Sequence, residues 1–347
     1  MKYIKLVSVI GLFSILFISC SSKKSKLGKL IPKEAAVIVD INAKSLFSKL
    51  PWDEIKQTYW YSYIMSDSTF PSTAKTFLGD PAKTGVDMNS DIIFFVVPPD
   101  NNGQGVVQGN LKDSKAFAAF LKTIHPDGTI SKDGDLDIFK SNHAVVGWNN
   151  DRFVFVTNAD HNYHNYKNIH WGDSAQDKDS VHITVDPPFT TAPGTQLPPD
   201  SLLLICKNIF TLKEDNSLYG NERFAELEKA EGDIHVWLNI NELYKASMGK
   251  MPAMPGMMGM VKLDKFLEDN ISTATLNFED GKITGTHKQY FGKELSDILK
   301  KGDGNINTDM VKRISAQNLA GVYAVHFSPA NMQEIIKLTG LDGIINI

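Results

Sequence analysis

The feature that most constrains this chain is a short pattern that occurs three times. Residues 36–46 read AVIVDINAKSL, residues 233–243 read DIHVWLNINEL, and residues 323–332 read YAVHFSPANM. Each is a strand-forming run that ends in Asn42, Asn239 or Ser328, and each has an apolar residue four positions later: Leu46, Leu243 or Met332. Asn and Ser side chains satisfy the free amides of a first helical turn, so each copy predicts a buried strand running straight into an N-capped helix. Pro329 follows Ser328 at the first helical position, where a missing N–H costs nothing. A strand-to-helix module used repeatedly restricts the architecture to a few arrangements.

Between the copies the chain predicts hairpins and separate helices. A helical stretch runs from Lys44 to Phe77, broken near Pro51. The runs DIIFFVV (91–97) and GVVQGNL (105–111) flank a turn at 100–103. Asp113 caps a helix with the sequence SKAFAAFLKTI, and a second hairpin joins Ala144–Trp148 to Arg152–Thr157. Further on, Ile271–Phe278 and Lys282–Phe291 flank Asp280-Gly281, the dipeptide of a type I′ turn. Helical patterns cover Asn221–Ala230, Glu294–Lys301 and Thr308–Ile314. Hairpin strands with separate helices imply an α+β fold: two related units of largely antiparallel sheet, each opening with a strand that runs into an N-capped helix.

Residues 161–200 have a different texture. HNYHNYKNIHWGDSAQDKDS and VDPPFTTAPGTQLPPD are polar, rich in proline and without period, which marks a connector. The expected organisation is a lipoprotein signal peptide at 1–19 and a tether at 20–30. A first α+β unit at 31–160, the connector at 161–200 and a second unit at 201–318 follow. The start of a third, incomplete unit occupies 319–347, with Val322–Phe327 as its strand.

The stretches IPKEAAVIVDINAKSLFSKL, YGNERFAELEKAEGDIHVWLN and TLNFEDGKITGTHKQYFGKEL resemble a family of Bacteroidetes lipoproteins whose domain has no known function. The resemblance runs over most of the mature chain. It implies no catalytic residue, and it implies a protein that continues beyond Ile347.

The N-terminus speaks to location. Lys2 and Lys5 precede an apolar run from Leu6 to Ile18 that spans about 20 Å as a helix, short of the roughly 30 Å hydrocarbon core. Such a run reads as an export signal rather than an anchor. Phe17-Ile18-Ser19-Cys20 resembles a bacterial lipobox, which makes Cys20 the lipid-modified first residue of the mature protein. Acyl chains buried at about 0.8 kcal/mol per methylene would then attach the chain to the membrane. Ser21 and the lysines at 23, 24 and 26 follow, where inner-membrane retention and surface display are commonly marked by acidic residues. The expected location is the outer membrane, facing the periplasm.

Composition excludes some partners and permits a large core. Hydrophobic residues make up 42% of the chain and charged residues 22%. A net charge of −4 offers no basic footprint for nucleic acid. With Cys20 lipidated, Cys206 has no disulfide partner. It lies in LLLIC (202–206), which reads as a buried strand.

The chain holds several chemistry-bearing patterns, each of which has a plainer structural reading. Met248, Met251, Met254, Met257, Met258 and Met260 gather in SMGKMPAMPGMMGM, and thioethers suit Cu(I). Prolines and glycines in that run leave ligand geometry unset, so an adaptable apolar loop is the plainer reading. His161, His164 and His170 with Asp160 and Asp173 could bind zinc or copper, but on an irregular polar segment they read as solvated. His235 and His326 read as sheet residues. Asp133, Asp135 and Asp137 evoke a calcium loop, yet Ile138 and Ala144 stand where an EF-hand needs Gly and Glu. Gly103, Gly105 and Gly109 fall within a hairpin and form no dinucleotide fingerprint. The aromatics Trp52, Tyr59, Trp60, Tyr61 and Tyr63 could stack on sugars or form a packing face.

These residues point first to a non-catalytic envelope lipoprotein without a cofactor, acting as a binding or scaffold protein through an envelope protein partner. Two alternatives stay open: an envelope hydrolase whose site assembles only in three dimensions, and a copper-handling protein using the Met248–Met260 loop.

Overall fold

The structure, a computed structural model, describes residues 27–68, 70, 72–97, 103–142, 144–158, 197–248, 262–301, 304, 308–314 and 328–342. Its strands are β1 (Val37–Ile41), β2 (Ile92–Val97), β3 (Gln104–Asn110), β4 (Thr129–Asp133), β5 (Leu136–Lys140), β6 (Ala144–Trp148), β7 (Arg152–Asn158), β8 (Ile234–Asn239), β9 (Ile271–Glu279) and β10 (Lys282–Tyr290). The helices before the connector are α1 (Ala43–Lys49), α2 (Trp52–Ile55), α3 (Tyr59–Ser66), α4 (Ser72–Gly79) and α5 (Ser114–Ile124). After it come α6 (Pro199–Phe210), α7 (Glu222–Lys229), α8 (Ile240–Met248), α9 (Leu263–Leu267), α10 (Lys293–Lys301), α11 (Thr308–Lys312) and α12 (Pro329–Leu338).

The expected caps form at all three copies of the repeated pattern. Asn42 Oδ1 accepts from Ser45 N at 3.0 Å, and Asn239 Oδ1 accepts from Glu242 N at 3.1 Å. Ser328 Oγ accepts from Asn331 N at 3.5 Å, with Pro329 in the first turn. The strand expected at 322–327 lies outside the described residues.

Helices and a large antiparallel sheet make the fold α+β. All ten strands belong to one sheet in the order β10-β9-β8-β1-β2-β3-β7-β6-β5-β4, and every neighbouring pair is antiparallel. The seam between early and late strands is β1 against β8, with Val39 opposite Val236 at its middle. Asn42 and Asn239 lie equally far beyond that pair, at opposite ends of the seam.

Period-two alternation divides the sheet's side chains between two cores. On one face Ile38, Phe95, Val106, Val156 and Trp237 are buried against Leu202, Cys206 and Ile209 of α6 and Phe224 and Leu227 of α7. On the other, Val146, Trp148, Phe139 and Phe153 pack under Phe117 and Leu121 of α5. Gly85 sets the approach to α5: its φ is 82°, and a Cβ there would lie 2.3 Å from the Asp113 carbonyl oxygen. Only glycine meets both conditions.

Three local expectations are corrected. LLLIC is part of helix α6, not a strand. Leu202, Cys206 and Ile209 recur at helical spacing and are buried, while Leu204 between them is 60% exposed. A continuous apolar run does not separate the two states; Pro199 in the first turn is compatible with a helix, and packing on β6 and β7 decides it. The Lys44–Phe77 stretch is divided into four helices, with Pro51 and the Thr58 cap at two of the breaks. At Asp280-Gly281 only Gly281 has positive φ, at 69°, so the turn is not type I′. No described helix is long and apolar enough to cross a membrane.

Candidate functional site

Helix α7 lies across β8 and β9 but stops short of β10. Asn221 caps it, accepting from Arg223 N and Phe224 N, and Phe224, Ala225 and Leu227 hold its inner face to the sheet. Beyond its edge the sheet surface is open. The resulting groove has a volume of about 430 Å³. Its floor is set by register: Thr273 and Thr275 of β9 face Lys288 and Thr286 of β10, and Asn277 faces Thr284. At the rim, Lys288 Nζ lies 2.6 Å from Glu226 Oε1, and the Tyr290 hydroxyl donates to Glu226 Oε2 at 3.0 Å. These contacts hold the Glu226 carboxyl below its ordinary range, Lys288's hydrogen bond foremost. Burial, then the bond to Glu226, raises Tyr290. Arg223 stacks over the Tyr290 ring at 5.1 Å. The groove is lined with hydroxyls, the Lys288–Glu226 pair and the Glu231 carboxylate, a surface suited to hydrogen-bonded contact.

A second polar cluster sits in the β1–β8 seam. Asp40 and His235 are directly opposite and both buried, with Nδ1 3.4 Å from Asp40 Oδ2. The His235 Nε2 lies 2.9 Å from the Ala230 carbonyl at the end of α7. A carbonyl only accepts, so Nε2 carries a proton. In a neutral ring Nδ1 would then turn a lone pair toward the Asp40 carboxylate, and the imidazolium removes that repulsion. Burial works against this charge, but the contacts to Asp40 and Ala230 outweigh it and raise the His235 pKa. The carbonyl end of a helix also favours a cation. Asp91 stands nearby, its carboxyl pushed up to about 6 by burial and then by the Asp40 charge. The nitrogen that a catalytic imidazole turns toward its nucleophile is occupied here by backbone. The cluster is a buried polar pair across the seam, in which Asp40 Oδ1 and His235 Nδ1 have no hydrogen-bond partner among the described residues.

Asp233, just before β8, is a clamp. Its buried carboxylate accepts from Ser45 Oγ at 2.6 Å, Lys49 Nζ at 2.9 Å and Phe278 N at 2.7 Å. Burial alone would raise its pKa, and these three donors together lower it. The clamp ties α1 to the start of β8 and the end of β9.

The residues singled out from sequence are dispersed. Cys20 lies outside the described residues, as do His161, His164, His170, Asp160, Asp173 and His326. Met248 is the last residue of α8, while Met251, Met254, Met257, Met258 and Met260 lie outside the described residues. Cys206 is buried, as expected of a core residue. Burial pushes its thiol up to about 12, and Sγ sits 3.5 Å from the Val154 carbonyl oxygen. Gly134 and Asp135 form the tight turn between β4 and β5, and among the described residues no group of three or more His, Cys, Asp or Glu could hold a metal. The aromatic cluster divides. Trp52 packs edge-on against Phe47 and Tyr61, and the Tyr61 hydroxyl donates to the Leu78 carbonyl at 3.2 Å. Tyr59, Trp60 and Tyr63 face solvent, at 84%, 48% and 58% exposure.

Sequence reasoning passed over Asp40, Asp91, Glu226 and the β9–β10 threonines. The available signal was charge inside otherwise apolar strands, VIVDI and DIHVW. The groove itself had none, because it depends on where α7 ends over the sheet.

Comparison with known proteins adds little. No curated protein matches the chain. One crystal form of TP0453 is similar at 11% identity, covering 91% of this chain and 98% of that chain with a TM-score of 0.38. Another form is 9% identical, covering 81% and 88% with a TM-score of 0.37. Nothing about the site follows from likenesses this loose. Residues 28–176 match the family model of DUF4836, a domain of unknown function.

Proposed function

We propose that this chain is a lipid-anchored envelope protein, held at Cys20 to the periplasmic face of the outer membrane, that acts by protein contact and catalyses no reaction. The observation that carries the contact reading is β10 with its groove. Among the described residues a nine-residue strand ends the sheet, and the hydroxyl-lined surface beside it is left uncovered by α7. Extended chains bind at such edges through main-chain hydrogen bonds, with side chains read by the adjoining groove. Of the described histidines, the buried His235 is committed to Asp40 and Ala230, and His287 Nε2 lies 2.7 Å from Ser272 Oγ, a hydrogen bond between the neighbouring strands β9 and β10. The caps at Asn42 and Asn239 and their equal distances from the Val39–Val236 pair support two related units, 31–160 and 201–318.

A photo-activated cross-linking residue placed in turn at Thr284, Thr286 and Lys288 tests the contact reading in intact cells. The expected result is a discrete covalent adduct with a polypeptide from the groove-side positions. Illumination that yields no adduct at any of the three overturns it.

A further inference from the structure

The backbone that ends α7 is packed on the His235 ring. Ala230, the C-cap of the helix, places its carbonyl oxygen 2.9 Å from Nε2. Gly232 follows so closely that a Cβ there would stand 3.2 Å from the same nitrogen and 3.2 Å from Thr275 Cβ. Ala230 and Glu231 also line the groove beside α7. One buried ring thus supports the backbone that forms part of the groove wall.

Two acceptors compete for this ring. Nε2 faces the Ala230 carbonyl, while Nδ1 stands 3.4 Å from Asp40 Oδ2, an ion-pair distance rather than a hydrogen-bond distance. An imidazolium has two N–H groups and serves both acceptors, whereas a neutral imidazole has one. Loss of a proton to water therefore forces a choice. Asp40 is the stronger claimant. Its carboxylate is buried, its Oδ1 has no hydrogen-bond partner among the described residues, and bonds to ionised acceptors are about twice as strong as neutral ones.

We propose that His235 is a proton-operated latch on the groove wall: charged, it holds Ala230 to the seam, and neutral, it turns its one proton to Asp40 and releases Ala230. This rests on the contact reading above and adds its regulation. The groups around the ring set the direction. Asp91, before β2, is the second carboxylate acting on it, and Glu228 of α7 acts in turn on Asp91. From β9 the facing residue is Thr275, which does not titrate. Both Asp40 and Asp91 favour the charged ring and help raise the His235 pKa against burial. The latch is therefore closed below the ordinary value of about 6.5 and opens as pH rises through the folded value.

Two measurements on the full-length protein in detergent micelles test the latch. Imidazole nitrogen chemical shifts report which nitrogen keeps the proton, and the neutral ring should carry it on Nδ1. Hydrogen exchange, corrected for its intrinsic pH dependence, reports on the Ala230 amide, which donates to the Leu227 carbonyl. Its protection should fall about five- to tenfold between pH 6 and pH 8.5, the size of one lost hydrogen bond. Asp40→Asn removes the charge that claims the proton, so Nε2–H should stay on Ala230 and the fall should vanish. His235→Gln cannot titrate and should protect this amide equally at both pH values. A neutral ring protonated at Nε2, a wild-type amide equally protected at both pH values, or a fall that persists in both variants overturns the proposal. For the groove, the Thr286 photo-adduct should form in lower yield at pH 8.5 than at pH 6 in the wild type, and equally in His235→Gln. Wild-type adducts in equal yield at both pH values leave the contact reading standing and sink its regulation. If the amide loosens but no adduct forms at 284, 286 or 288 at either pH, the contact reading falls and the latch stands.

Discussion

His235 is buried, which works against its charge, but Asp40 and the Ala230 carbonyl outweigh that and raise its pKa above the ordinary value. Its raised pKa fixes the sign of a pH effect. The stabilisation is fully present below the unfolded value of about 6.5 and is lost as pH rises through the folded value. Replacing one member of a buried pair leaves the other uncompensated, at about 3 kcal/mol. His235→Gln should therefore lower stability most at pH 6, and its deficit in urea titrations should shrink at pH 8.5. An equal deficit at both values would count against the charged pair. Asp91 has the opposite consequence. Its folded state holds the proton up to about pH 6, so its contribution to stability falls as pH rises from near 4 to 6. Asp91→Asn should stabilise the protein at pH 7 by about 1 kcal/mol after solvent screening, and leave it unchanged at pH 4. Asp40 and His235 were visible in the sequence as polar residues in apolar strands. That they face each other was not, since the β1–β8 register joins positions far apart in the chain.

Among the elements, the N-caps were the most legible, because a cap is a local interaction among consecutive residues. Asn42→Ala and Asp113→Ala should each cost about 1 kcal/mol, measured by thermal or urea unfolding. Asp113 accepts from both Lys115 N and Ala116 N, so its loss should be at least as large as that of Asn42, which accepts from Ser45 N alone. Helix α6 was the least legible. Its five consecutive apolar residues carry no period, and only packing against β6 and β7 shows which of them face inward. Cys206 reports on that packing. Its buried thiol should resist a thiol reagent at pH 8 in the native protein and react fully once unfolded in guanidinium. Rapid native labelling would mean that α6 does not seal this core.

At the scale of the whole molecule, an acyl anchor at Cys20 would leave the fold untouched. Cys20→Ala should abolish incorporation of labelled fatty acid and release the protein from the membrane fraction. A variant that still carries label and sediments with membranes would refute the anchor. The seam should behave as part of one cooperative unit. The Asp233 clamp and the β1–β8 ladder link residues near 40 to residues near 235, so Asp233→Asn should destabilise α1 and the start of β8 together in hydrogen exchange.

The sequence by itself determined what local interactions decide: the helix caps at Asn42, Asn239 and Ser328, the β2–β3, β6–β7 and β9–β10 hairpins but not β4–β5, the α+β class and the burial of Cys206. These follow from side-chain chemistry within a few residues of each other. Only the tertiary structure decided that early and late strands share one sheet, that α6 is a helix, and that His235 meets Asp40. It alone placed β10 beside a groove, at the end of the sheet that the described residues form. Those outcomes depend on which distant surfaces bury one another, and hydrophobic burial carries no record of partner or register in a single strand.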